Sequence, residues 1–161
     1  GQHATMNLNG VYISGGDQHH DLTTAIYHDH PNCTSKQIVR GVLGGESTGV
    51  FQGKVRVAPD AQKTDGQQMS KAILISDKAS ANAKPELEIY ADDVVCAHGA
   101  TVGELDDDQL FYLKSRGLSP DKAREILIIA FLEDIITQSV DVSLHDFIFT
   151  EAKIGLLSIL K

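Results

Sequence analysis

Among the side chains that bind metals or attack carbon, Cys96 and His98 stand out, because they lie two residues apart in the apolar run Val94-Val95-Cys96-Ala97-His98. An extended backbone there puts Val94, Cys96 and His98 on one face and Val95 and Ala97 on the other. One two-residue step is about 6.5 Å, so a thiolate and an imidazole can lean towards one ion or each hold part of something larger. Zinc and iron-sulfur centres take about four ligands. The pair therefore does not complete a site, and the remaining ligands must come from a distant part of the chain, a partner or solvent. The plainer alternative is a small buried cysteine and a histidine satisfied by a backbone carbonyl.

A second group is His28-Asp29-His30 with Cys33, ligand types at short spacing. His28 and His30 share a face if the strand continues, but Pro31-Asn32 marks a corner that can turn Cys33 elsewhere. In His19-His20 the rings point to opposite faces of a strand, which suits exposed polar positions. The acids Asp92-Asp93 leave open a carbohydrate-active enzyme, although neighbours on a strand diverge and glycoside cleavage depends on carboxylate separation. Gly41-Val42-Leu43-Gly44-Gly45 lacks the Lys-Ser/Thr of a phosphate loop, and no nucleophile elbow is present.

These residues sit in a chain of 161 residues with a formal charge of -8 and a pI near 5.2, long enough for one real core. Net acidity argues against nucleic acid as the main partner, since phosphate binding relies on Lys and Arg. No run of 18 apolar residues and no signal-like N-terminus occurs, so the expectation is a soluble cytoplasmic protein without membrane contact. The two cysteines are far apart and read as reduced thiols rather than a disulfide framework.

What must position the candidates is a series of short apolar or β-branched runs: Val11 to Ile13, Leu22 to Tyr27, Gln37 to Leu43, Gly49 to Val57, Ala72 to Ile75, Leu87 to Ala91 and Val94 to Val102. Turn residues such as Ser14-Gly15-Gly16-Asp17, His30-Pro31-Asn32 and Gly44-Gly45-Glu46 separate them. Alternation in Lys54-Val55-Arg56-Val57 and Leu87-Glu88-Ile89-Tyr90-Ala91 gives each strand a buried and a wet face. Run centres recur roughly every 12 to 14 residues, which fits a coil of two strands per turn as well as a sandwich. Ala79 to Ala83 followed by Lys84-Pro85 reads as a solvated loop or irregular corner.

After Gly103 the period becomes helical. Asp106-Asp107-Asp108 places acids at a helix N-terminus, with Asp108 as the expected cap and Gly117 as the stop. Ser119-Pro120-Asp121 opens a second helix running to about Thr137. Its apolar residues, including Ala123, Ile128, Ile129 and Leu132, surround it almost completely, so it needs cover on two sides. The sheet covers one side, and a last helix around Leu144 to Leu160, or another protein, the other.

Taken jointly, Leu87 to Gly103, Asp108 to Gly117, Val50-Phe51-Gln52-Gly53 and Ala61 to Gln67 resemble the SufB/SufD family of SUF iron-sulfur cluster assembly scaffold proteins over roughly Leu22 to Thr137. Gly99, where the SufB branch has Glu, favours the SufD branch. The resemblance implies a non-enzymatic scaffold with a right-handed parallel β-helix core over residues 1–103 and an α-helical subdomain over 104–161. It also implies a SufB-like partner beside the core and a SufC-like ATPase docked on the helices. His98 matches a histidine implicated in holding a transient iron-sulfur cluster shared with the partner, and is the expected metal ligand; Cys96 is its neighbour in the cofactor-binding pair. Family members are longer, so the chain reads as a C-terminal fragment whose open coil is expected to self-associate, as a homodimer for example. A structural module without a metal role and a β-helix enzyme are the alternatives.

Overall fold

In a computed structural model, residues 1–139 and 141–160 are described, Gln138 and Ser139 by backbone alone. Seven strands come first: β1 (Thr5–Ser14), β2 (His19–His28), β3 (Thr34–Leu43), β4 (Thr48–Val57), β5 (Asp65–Leu74), β6 (Ser80–Ile89) and β7 (Val95–Gly103). Three helices follow: α1 (Asp107–Ser115), α2 (Pro120–Ser139) and α3 (Val142–Ile159). Odd-numbered strands form one sheet in the order β1-β3-β5-β7 and even-numbered strands another in the order β2-β4-β6. Every pairing is parallel and runs without a bulge, Thr5 opposite Thr34, Thr34 opposite Asp65 and Asp65 opposite Val95. Two strands per turn stacked in register make a parallel β-helix of about three turns, which removes the sandwich from consideration.

Inside the coil the strand period selects Val39, Leu43, Phe51, Val55 and Val57, all at most 1% exposed. Two packed sheets leave room for a large side chain only where its neighbours are small. Tyr12 therefore spans the interior over Gly41 and Gly49, where an added Cβ would lie 2.2 Å and 2.8 Å from its ring. The corners repeat from coil to coil in left-handed backbone conformations, Gly16 and Gly45 at one edge and His3, Asn32 and Lys63 at the other. Backbone hydrogen bonds join successive corners, Asn32 N–H donating to Gln62 O at 2.9 Å and Glu46 N–H to Gly16 O at 2.7 Å.

Helices α2 and α3 pack on the outer side of the first sheet, and α1 packs on α2. Val42 of β3 meets Ile128 and Leu132 of α2 and Leu156 of α3, with Val11, Ile13, Ile75 and Ile159 around them. Both sides of the apolar α2 thus find cover within the chain. Arg40 of β3 ties the layers together, donating to Phe131 O and pairing with Asp134 while its guanidinium lies 4.9 Å from the centre of the Phe131 ring.

Two expectations are corrected here. Residues 80–85 belong to a strand rather than a loop, extending the expected run at Leu87 back to Ser80, because β4 supplies a complete parallel ladder, and Pro85 is tolerated on a strand at the edge of its sheet. The cap of α1 is Asp106, whose Oδ1 accepts from Gln109 N–H at 2.9 Å, not Asp108, which lies inside the first turn. Among the described residues no helix is long and apolar enough to cross a membrane.

Candidate functional site

β7 is the last strand of its sheet, and the other sheet stops at β6. The inward face of β7 is consequently uncapped. Cys96 sits opposite Gly66 and His98 opposite Gln68, both inward-facing and buried on β5, so the expected common face exists and points along the interior of the coil. Cys96 is half-buried against a core cluster that includes Val55, Val57 and Ala61, and His98 is exposed.

The two groups differ in character. Burial pushes the Cys96 thiol above its usual range, a backbone hydrogen bond from Gly66 opposing this and the charge of Asp65 adding to it. The thiol is thus the resting form, and metal coordination there must displace a proton. Among the described residues His98 has no hydrogen-bond partner, which leaves its ring nitrogens available. No set of three or more His, Cys, Asp or Glu side chains gathers as a metal site among the described residues. Among the described residues Cys96 and His98 therefore do not make a complete metal site by themselves.

Beneath His98 runs a polar column inside the coil. Gln37 Nε2 donates to Thr24 Oγ1 at 2.7 Å, and Gln68 Nε2 donates to Gln37 Oε1 at 2.9 Å. Gln37 and Gln68 are 0% and 2% exposed. The outer face of these strands carries a separate hollow of about 280 Å³ between Lys36, Ile38, Gln67, Met69 and Ala97. The two buried glutamines were not singled out from sequence; their signal is the 31-residue separation of Gln37 from Gln68, which becomes meaningful only once the coil length is known.

The other candidates disperse. His28 ends β2 as a buried ring with Nε2 2.8 Å from Ser35 Oγ, whereas His30 is exposed beyond the strand. Cys33 is buried, and its thiol donates to Gly1 O at 3.3 Å and Pro31 O at 3.6 Å. The corner at Pro31-Asn32 thus separates the three possible ligands. His19 and His20 are exposed, His20 stacking on Tyr12 with ring centres 6.2 Å apart. Asp92 and Asp93 are exposed on a corner, where Asp93 pairs with Lys63. Both cysteines are free thiols.

Comparison with known proteins gives this geometry its context. The family model for the SUF system FeS cluster assembly SufBD core domain matches residues 1–131. The iron-sulfur cluster assembly protein SufD of Escherichia coli is 38% identical over 135 residues, 84% of this chain and 32% of that protein. An iron-sulfur cluster assembly SufBD family protein of Synechocystis is 42% identical over 126 residues, 78% of this chain and 28% of that protein. The chloroplastic protein ABCI7 of Arabidopsis thaliana is 37% identical over 137 residues, covering 84% of this chain and 29% of its own length. The chain thus spans about a third of the length of these curated relatives. An all-parallel coil and a family match that continues into α2 agree on one assignment: the chain belongs to the SufBD core family of the SUF iron-sulfur cluster assembly system.

Proposed function

We propose that this chain forms part of a non-enzymatic scaffold subunit of cytoplasmic SUF iron-sulfur cluster assembly, in which His98, with Cys96 beside it, contributes ligands to a transient cluster completed by a SufB-like partner. The observation that carries this reading is the placement of Cys96 and His98 on the uncapped inner face of the final strand in a chain of the SufBD core family. The cluster is cargo, built and passed on, so an incomplete ligand set on one subunit suits the task. A SufC-like ATPase docks on the helices. A groove of about 930 Å³ between the first turns of α2, the coil corner at Gly44 and the end of α3 supports this, with Ile154, Leu157 and Leu160 on its wall.

The test is anaerobic reconstitution with iron and sulfide, with and without a SufB-like partner. The expected result is cluster retained only in the pair and lost when His98→Ala replaces the wild type. Retention unaffected by the substitution removes His98 from the ligand set and leaves a structural module.

A further inference from the structure

The polar column beneath His98 repeats by translation along the coil. At the first step Gln37 uses its Nε2 on Thr24 and offers Oε1 to the residue at the equivalent position one coil on, which is Gln68. Gln68 then donates its own Nε2 backwards, and its Oε1 is buried without a partner. The residue one coil further on, directly opposite Gln68 in the ladder, is His98. Adjacent strands are about 4.8 Å apart, a rung that hydrogen-bonded side chains bridge, as Gln37 and Gln68 do at 2.9 Å.

Gln68 is not free to turn away. Its amide crosses the interior to lie against Gly53 of the facing sheet, where an added Cβ would come 2.0 Å from Nε2 and 2.8 Å from Cδ, with the Phe51 ring crowding the same point at 2.7 Å. A buried carbonyl oxygen with no donor is destabilising, so this acceptor favours any ring N–H that reaches it. His98 can supply one, since it stands directly opposite Gln68 in the ladder on the same inward face and has no other hydrogen-bond partner among the described residues.

We propose that Gln68 is the positioning residue of His98: Gln68 Oε1 accepts the N–H of one ring nitrogen, fixes the tautomer and presents the other nitrogen at the open end of the coil. Thr24, Gln37 and Gln68 form a hydrogen-bonded relay that orients the ring from within. This rests on the reading of His98 as a ligand, and follows the general pattern in which a ligating histidine donates its second nitrogen to a nearby acceptor.

The primary measurement is made on the ring itself, in the wild-type chain with labelled histidine. Nuclear magnetic resonance is expected to show a single His98 tautomer whose N–H proton exchanges slowly enough with water to be seen. A His98 ring sampling both tautomers, with its proton lost to rapid exchange, overturns the proposal whatever any variant does. In Gln68→Met, similar in volume and lacking the acceptor, that proton resonance is expected to disappear; its persistence also overturns the proposal. Ferrous iron affinity of the chain paired with a SufB-like partner is expected to fall about 10–100-fold in Gln68→Met. If His98→Ala leaves iron affinity unchanged, the ligand reading fails and only the ring contact stands; if His98→Ala abolishes binding but Gln68→Met matches wild type, the positioning role fails alone.

Discussion

A buried histidine is a pH sensor even where it binds nothing. His28 is 5% exposed and bonded to Ser35, itself 0% exposed. Burial lowers its pKa, the neighbouring charge of Asp29 pulling weakly the other way. In the unfolded chain the ring titrates near about 6.5, so as pH falls through that value the unfolded state takes up a proton before the folded state does. Stability contributed by neutral His28 is fully present above the unfolded pKa and lost below it. Urea unfolding as a function of pH is expected to show this acid limb, and a flatter one in His28→Ala. That variant also costs about 1–3 kcal/mol near neutrality through the orphaned Ser35 hydroxyl; an unchanged acid limb refutes the assignment. At this scale the Cys96 and His98 pair was readable because a two-residue spacing says the same thing on any strand. The glutamines beneath it were not, since nothing local distinguishes an inward Gln37 from an exposed Gln67, and the dispersal of His28, His30 and Cys33 depended on how one corner turns.

Between elements, the contact with the clearest consequence is Arg40, which reaches from β3 to both Phe131 O and Asp134 of α2. A planar guanidinium satisfies a carbonyl, a carboxylate and a ring face together, which a lysine ammonium cannot. Arg40→Lys is therefore expected to destabilise nearly as much as Arg40→Ala, about 1–3 kcal/mol. Hydrogen exchange should quicken along α2 while the strands stay protected, and wild-type exchange in α2 of the lysine variant would refute the bidentate account. The elements themselves were largely legible: seven apolar runs became seven strands, because alternation is written into each run. Two failures have physical causes. Small residues and Pro85 hid the first part of β6, residues 80–85, whose order comes from the ladder that β4 provides and not from its own propensity. Three consecutive aspartates offered equivalent caps, and only the extended backbone of Asp106 singles it out. The left-handed corner at Lys63 was likewise hidden, since glycine and asparagine announce such a conformation and lysine does not.

For the whole molecule, the governing feature is that the coil of stacked strands stops at β7, after which the chain turns helical. β7 is an edge strand of its sheet, with a row of backbone groups facing away from its neighbour, and edges of that kind pair with other strands unless blocked by charge, proline or a bulge. The β7 end is poorly blocked. Its ladder is regular throughout, the strand Val95–Gly103 carries no Lys, Arg, Asp or Glu, and Val95 and Val102 are 64% and 45% exposed. Stacked coils gain stability from each neighbouring interface, so the chain in isolation is expected to self-associate through this edge, and a SufB-like partner to compete for it. Val102 lies on the inward face, in register with buried Ala72, where a second coil would continue the core. Val102→Lys should therefore shift the association equilibrium towards monomer by about tenfold or more, since burying an unpaired charge costs several kcal/mol. Sedimentation equilibrium of both chains over a broad concentration range decides the matter: wild type that stays monomeric throughout eliminates an associating edge, and association equal in the two chains places the contact elsewhere, at β1 or on the helices.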